Sequence, residues 1–195
     1  MNSAPLTAKH GAPVRIIAPG VAGARCVKWL QQITVQPTES NNHYQQRDYK
    51  VLPPEATDAG KAEKFWDLTP AIQDMPVNSV IGSPQSGDTI KLDADGMIEA
   101  RGYALPSGDG GPVTKVEVSA DEGATWIEAE LLGERGKWSW ALWKARIALP
   151  KGDNQRIYSR ATDQVGNTQS ANPQWNLRGV AYDGYGESRS LSIVG

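Results

Sequence analysis

The chain has 195 residues, 20 Lys and Arg against 22 Asp and Glu, a formal net charge of −2 and a single cysteine, Cys26. That length accommodates one large or two small domains, and the near balance of charge excludes the basic excess of proteins that follow nucleic-acid phosphates or anionic membranes. No apolar run approaches the ~20 residues that span a bilayer, and one cysteine leaves no internal disulfide, so a soluble, intracellular protein held by its core is expected.

Met1 to Lys9 is small, polar and unpatterned. Its lack of acids suits a transit peptide, but Pro5, Gly11, Pro13, Pro19, Gly20 and Gly23 would break the amphipathic helix such a peptide needs. His10 to Leu30 gathers His10, Arg15, Arg25 and Lys28 on turn-forming backbone, with no Asp or Glu before Glu39. Uncompensated cations of this kind suit an anion, Arg15 and Arg25 as donor forks and Lys28 as a point charge. On residue types alone an ordinary basic surface loop is an equal reading. Within the stretch, Val14–Ala18 is a strand candidate, Pro19-Gly20 a turn, and Gly20–Arg25 a small-residue loop. Val27–Leu30 leads into a second strand candidate at Ile33–Val35. The lone Gly-x-x-Gly is not a P-loop, because Lys28 is not followed by Ser or Thr. Cys26, beside Arg25, has two readings, an activated thiol or a small, partly buried side chain, and the second is preferred.

Ser40 to Pro54 is polar and aromatic, with neither helical nor strand periodicity, as functional irregular segments often are. Tyr44 and Tyr49 are suited to packing or to donating to an anion. Glu55–Asp67 reads as a charged loop with one helical turn, pinned by Trp66 and Leu68. A boundary is expected near Met75-Pro76, dividing the chain into domains 1–75 and 76–195.

From Val77 onward, short β-branched and aromatic segments recur between Gly, Pro, Asp and Asn clusters. The expected strands are Ser79–Gly82, Thr89–Leu92, Met97–Tyr103, Val113–Ser119, Thr125–Glu130, Trp138–Leu149, Arg156–Thr162 and Leu191–Val194. Val113, Lys115, Glu117 and Ser119 alternate with Thr114, Val116 and Val118, and Trp138, Trp140 and Leu142 share one strand face. The fold class is therefore mainly β, an immunoglobulin-like antiparallel sandwich. Lacking an inter-sheet disulfide, it is expected to draw its core from buried tryptophans. Ser119-x-Asp121-x-Gly123-x-Thr125-Trp126 is an Asp-box hairpin, in which the Asp caps the turn and the Trp packs beneath it. It reads as structural. No His-Glu-x-x-His, Cys-x-x-Cys, Gly-x-Ser-x-Gly or Walker pattern occurs, and no residue is assigned as a metal ligand.

Three separated motifs remain. They are His10-Gly-x-Pro-Val-Arg15 with Pro19-Gly-x-x-Gly-x-Arg25-x-Val-Lys28-Trp29-Leu30, then Gln45-x-Arg-Asp-Tyr49-Lys50, then Trp175-Asn-Leu-Arg178-Gly179. In order and spacing they resemble the eukaryotic sulfite oxidase family over almost the whole chain. The resemblance implies the last part of an α+β molybdopterin-binding domain followed by a dimerisation domain that forms a homodimer. It implies that His10, Arg15 and the Cys26-Val27-Lys28 segment hold the molybdopterin cofactor, that Tyr49 points into a sulfite pocket, and that Arg178 reaches the substrate. Sulfite and sulfate are dianions, which a Tyr hydroxyl and an Arg fork can bind. The oxygen-atom transfer would belong to the cofactor.

The family's metal-ligand cysteine lies upstream of the matched segment, so Cys26 is not cast in that role. No haem domain is expected in this chain, and neither nucleic acid nor a membrane is expected as partner. The chain resembles a C-terminal portion that is inactive alone. Two alternatives are an assimilatory nitrate reductase fragment, which typically lacks arginine at the Arg178 position, and a non-catalytic remnant that only dimerises.

Overall fold

The computed structural model describes residues 3–195; Met1 and Asn2, the start of the unpatterned N-terminal stretch, lie outside the described residues. The chain forms two compact units. One runs to Met75 and takes in Trp175–Ala181, and the other comprises Pro76–Gln174 and Tyr182–Gly195.

The second unit is a two-sheet β-sandwich. One sheet orders β1 (Asn78–Ser83), β3 (Met97–Leu105), β7 (Ala141–Ala148) and β6 (Glu130–Leu132) side by side. The other orders β2 (Thr89–Lys91), β9 (Gly186–Val194), β8 (Gly152–Asp163), β4 (Val113–Ser119) and β5 (Ile127–Glu128). Neighbours run antiparallel except β2 and β9, which are parallel. This is the immunoglobulin-like architecture expected from the strand spacing.

Three details depart from the sequence pattern. Thr125–Glu130 is not one strand. Ile127–Glu128 pairs with β4 in one sheet, and Glu130–Leu132 pairs with β7 in the other. Buried Ala129, whose amide donates to Val116 O at 2.8 Å, marks the change of sheet. In β4, strict alternation would put Val113 on the face opposite Val116 and Val118. A register shift between Val113 and Lys115 instead lets all three reach the core, because a bulge resets the two-residue period.

The third departure concerns tryptophan. Trp143 alone of the sandwich tryptophans enters the core, at 1 % exposure, whereas Trp138 and Trp140 are about half exposed and Trp126 is partly buried. The inward face of β7 carries Ala141, Trp143, Ala145 and Ile147, which puts Trp140 and Leu142 on the outer face. Space for the Trp143 ring comes from its register partner Gly102, where a Cβ would sit 2.4 Å from the ring. The aliphatic residues Ile98, Val116, Val118, Ile157, Leu191 and Ile193 fill the rest of the interior. A buried hydrogen bond of 2.8 Å between Ser79 Oγ and Ser159 Oγ joins the two sheets. Trp143 Nε1 is buried without a hydrogen-bond partner, a desolvation penalty that ring burial must exceed.

The Asp box forms as a turn lock. Asp121 accepts from the Thr125 hydroxyl at 2.6 Å, the Thr125 amide at 2.8 Å and the Ser119 hydroxyl at 2.7 Å. Glu122 and Gly123 take positive φ. Trp126 packs edge-on against Tyr185 at 5.0 Å and lies under the Arg160 guanidinium at 4.1 Å. Arg160 is in turn held by Glu117 at 2.9 Å.

The first unit has little regular structure. It contains 3₁₀ turns at Ala8–His10 and Gly23–Arg25 and short helices α1 (His43–Gln46) and α2 (Ala59–Ala62). Val14–Ala18 does not become a strand. Pro13 and Pro19 bound it, and Ile16 N to Val27 O and Leu30 N to Val14 O, both 2.9 Å, tie it to Val27–Leu30. Ile33–Val35 is not a strand either, and Gln31–Ser40 is exposed throughout. A small core of Leu52, Ala56, Ala62 and Trp66, with Phe65 and Leu177 against it, holds the unit together. Inside it the Lys50 ammonium donates to Trp66 O at 2.6 Å.

Two outcomes follow for stability. Trp143→Ala is expected to cost about 3–5 kcal/mol and the exposed Trp138→Ala less than about 1 kcal/mol, measured by urea unfolding. The Thr125 hydroxyl and amide, with the Ser119 hydroxyl, hold the Asp121 carboxyl down from 3.8 to about 2. A depressed carboxyl gives stability that is complete above its unfolded value and is lost as pH falls through the folded one. Asp121→Ala should therefore flatten the fall in melting temperature between about pH 4 and pH 2; an unchanged acid limb would remove Asp121 from that role.

Candidate cofactor and anion site

The cation-rich stretch folds as a knot of backbone bonds. Thr7 opens it, its carbonyl accepting from His10 N at 3.0 Å and from Ala12 N at 3.1 Å. Thr7 Oγ1 and His10 Nδ1 share a 2.7 Å hydrogen bond. Gly11 turns the chain at φ 107, where a Cβ would lie 3.0 Å from Lys28 Cβ and 3.2 Å from Arg15 Cβ. Only glycine meets both the positive φ and that close approach.

Arg15 spans the knot. Its guanidinium donates to His10 O at 3.0 Å and to Cys26 O at 3.4 Å, while its buried Nε has no partner. Lys28 Nζ donates to Lys9 O at 3.1 Å, and Trp29 Nε1 to Ala8 O at 2.7 Å. The Cys26 thiol sits against Ala18, accepting from its amide at 3.3 Å and facing its carbonyl at 3.8 Å. That contact agrees with the packed reading of Cys26. His10, Arg15, Cys26 and Lys28 are thus brought together, chiefly through backbone carbonyls.

Val27 and Tyr49 meet elsewhere, in a cleft of about 640 Å³ that Arg25, Asn42, Tyr44 and Gln45 also line. Tyr49 is fixed by its carbonyl, which accepts from Ile72 N at 2.7 Å. One Arg25 nitrogen donates to Ile72 O at 3.1 Å, and its buried Nε is unpartnered. The Asn42 side chain caps α1 by accepting from Tyr44 N at 2.9 Å. The cleft is therefore lined by one guanidinium, two phenols and two side-chain amides, of which Gln45 Nε2 already donates to Glu39 and Asn42 Oδ1 already accepts from Tyr44 N. This set, with the Arg25 guanidinium only partly spent on Ile72 O, fits a phosphate-bearing heterocyclic cofactor.

Arg178 lies in a second cleft, of about 560 Å³, with His43, Arg47, Trp66 and Leu177. Its guanidinium pairs with the carboxylate of Asp48, the residue before Tyr49. Arg47 pairs with Asp67 at 2.5 Å, which raises the Arg47 pKa. The Arg178 segment is a closed loop, with Asn176 Nδ2 donating to Val180 O at 3.0 Å and Val180 N to Asn176 Oδ1 at 3.2 Å. The structure does not put Arg178 and Tyr49 in one cleft; it links them through Asp48.

Asp48 and Gln45 stand in the Gln45–Lys50 motif without an assigned role, Asn42 stands in no motif, and Arg25 is expected only as a generic anion donor. For Asp48 the available signal was an acid beside an expected substrate tyrosine. For Arg25 it was a guanidinium closing a small-residue loop. Among the described residues, no helix is long and apolar enough to cross a membrane.

Comparison with known proteins gives consistent matches. A family model described as the Mo-co oxidoreductase dimerisation domain matches residues 69–186, and one described as the oxidoreductase molybdopterin binding domain matches residues 1–44. The chain is 43 % identical over 187 residues to the mitochondrial sulfite oxidase of Homo sapiens, covering 92 % of this chain and 33 % of that protein. It is 37 % identical over 189 residues to an NADH nitrate reductase of Volvox carteri, covering 92 % of this chain and 22 % of that protein. The chain thus spans about a third of the length of the sulfite oxidase it matches. Among solved structures, the sulfane dehydrogenase SoxCD of Paracoccus pantotrophus shares the fold with a TM-score of 0.74 at 23 % identity, over 97 % of this chain and 48 % of that one.

The knot makes a local prediction. Gly11→Ala should destabilise it by about 1–3 kcal/mol. Hydrogen exchange should then speed up at the Ile16 and Leu30 amides and stay unchanged in β7 and β8.

Proposed function

Since the chain belongs to the Mo-co oxidoreductase dimerisation domain family, we propose that it forms the C-terminal portion of a molybdenum-cofactor-dependent sulfite oxidase. In this reading residues 1–75 complete a molybdopterin-binding domain, and residues 76–195 are a dimerisation domain through which two copies form a homodimer in a soluble, intracellular enzyme. The observation that carries it is the cleft that gathers Arg25, Val27 and Tyr49, in which one Arg25 nitrogen donates to Ile72 O.

His10, Arg15, Cys26, Val27 and Lys28 hold the pyranopterin and its phosphate. Arg15 does so mainly by fixing the loop, since two of its nitrogens are already spent on carbonyls. The bound cofactor supplies the redox chemistry that converts sulfite to sulfate. Tyr49 donates its hydroxyl proton in a hydrogen bond to a sulfite oxygen. Arg178 lines a separate cleft and is joined to Tyr49 through Asp48, so it would reach the same dianion only by releasing Asp48 and turning toward the Tyr49 cleft. A dianion held by a guanidinium keeps its charge matched as sulfite becomes sulfate, which orients the substrate without a proton having to move.

Nitrate reductase is the second reading, favoured by the Volvox match at 37 % identity. Identity to the Homo sapiens sulfite oxidase is higher, at 43 %, and Arg178 suits sulfite better.

Two measurements test the proposal. The chain alone should purify without molybdenum and show no sulfite-dependent reduction of an acceptor; turnover by the chain alone would overturn the claim that it is only a portion. Joined to the remaining part of a sulfite oxidase, it should turn over sulfite and not nitrate. In that protein Arg178→Met should raise KM for sulfite about 10- to 100-fold, the loss of a charged hydrogen bond, with molybdenum content unchanged. Equal loss of both would make Arg178 structural.

A further inference from the structure

Lys50 is buried in the first unit, at 3 % exposure. Its ammonium donates to Trp66 O at 2.6 Å, 16 positions along the chain, so its partner is a neutral carbonyl and not a carboxylate. Burying an ammonium costs on the order of several kcal/mol unless it is paired and hydrogen-bonded. One neutral acceptor offsets part of that cost, and an unbranched apolar side chain such as methionine would fill the same space without it. A residue that breaks a burial rule without a gain in stability is expected where a site is being shaped.

The residue before Lys50 is Tyr49, which lines the cleft with Arg25 and Val27. Residues 47–51 lie outside helix and strand, so contacts with distant segments set the course of the backbone there. Three consecutive residues each have one. Asp48 pairs with Arg178, Tyr49 O accepts from Ile72 N at 2.7 Å, and Lys50 holds Trp66 O. The first tie reaches water through an Arg178 side chain that is 41 % exposed, and the second is a hydrogen bond between neutral groups. Only the Lys50 tie combines a charged donor with burial. A hydrogen bond from an ionised donor is about twice as strong as a neutral one, and burial removes the water that would compete for it.

We propose that Lys50 is a positioning residue for Tyr49: its buried ammonium, anchored on Trp66 O, fixes the backbone from which the Tyr49 side chain lines the cleft. The inference rests on the reading above, in which Tyr49 donates to sulfite, and adds a residue to which that reading gives no part. Lys50 acts only through its neighbour. A donor must be held within about 0.5 Å of its productive place, and a phenol at the end of a long side chain magnifies any turn of its own backbone.

The first arm of the test is hydrogen exchange in the whole chain. Lys50→Met and, independently, the shorter Lys50→Gln should speed exchange at the Ile72 amide about tenfold or more, because the partner of that amide is Tyr49 O. The Ala56 and Phe65 amides donate to Pro53 O and Ala62 O, within the segment that forms the small core. They should stay within about twofold of wild type. Equal acceleration at all three amides would make Lys50 a core residue only, and an unchanged Ile72 amide would sink the proposal.

The second arm uses the chain joined to the remaining part of a sulfite oxidase. Lys50→Met should raise KM for sulfite about tenfold, the loss of one hydrogen bond to substrate, with molybdenum content unchanged. In a Tyr49→Phe background the same substitution should add less than about twofold, since the hydrogen bond it acts through is already gone. An equal factor in both backgrounds would overturn the link to Tyr49 and leave the reading above intact. A Tyr49→Phe variant with unchanged KM would overturn that reading, and the part of Lys50 in it.

Discussion

Two distant parts of the first unit meet in a contact between residues 130 positions apart, Arg178 with Asp48. The chain completes most of the sandwich, leaves it at Gln174, contributes Trp175–Ala181 to the first unit, and returns at Tyr182 to form β9. Leu177 packs against the Leu52–Trp66 core, and Arg178 pairs with Asp48. The ion pair is half open to water and contributes little stability by itself. Its larger effect is positional, since it fixes a guanidinium beside the residue that precedes Tyr49. The cation is matched by a carboxylate, so an incoming anion would compete with Asp48.

The cations of the N-terminal stretch divide into two uses. Arg15 and Lys28 spend donors on the carbonyls of His10, Cys26 and Lys9, which holds an irregular loop in shape where no strand ladder does so. Arg25 spends one nitrogen on Ile72 O and lines the cleft that Tyr49 also lines. Both uses follow from one feature of the sequence, the absence of any acid before Glu39. With no carboxylate close by in sequence, the part-buried guanidinium groups donate to backbone carbonyls.

In the sandwich the same economy appears without charge. One tryptophan seated over Gly102, a set of β-branched and small side chains, and a single serine–serine hydrogen bond between sheets take the place of the missing disulfide. The Asp121 turn and the Arg160–Trp126 stack organise the outer side of the other sheet. The aromatic residues on the two outer faces therefore do different work. Trp126 is bound to its own chain by Arg160 and Tyr185, whereas Trp140 rests on Tyr103 and leaves its other side uncovered.

The two-residue periodicity of β1, β3, β4 and β7, the turn chemistry of Ser119–Trp126 and the acid-free run before Glu39 were legible in the sequence, because each is set by neighbours a few residues apart. The identity of the candidate site was legible only through motifs in register, since no single stretch specifies a cleft. Tertiary structure decided which face of the tryptophan-rich strand points inward, because Trp143 finds its space at Gly102 on another strand. It also decided that Val113 shares the core with Val116 through a bulge, and that Thr125–Glu130 divides between two sheets. Last, it decided that Arg178 is paired with Asp48 and kept apart from the cleft of Tyr49. Each of these outcomes depends on a partner far away in sequence, and periodicity carries no information about such partners.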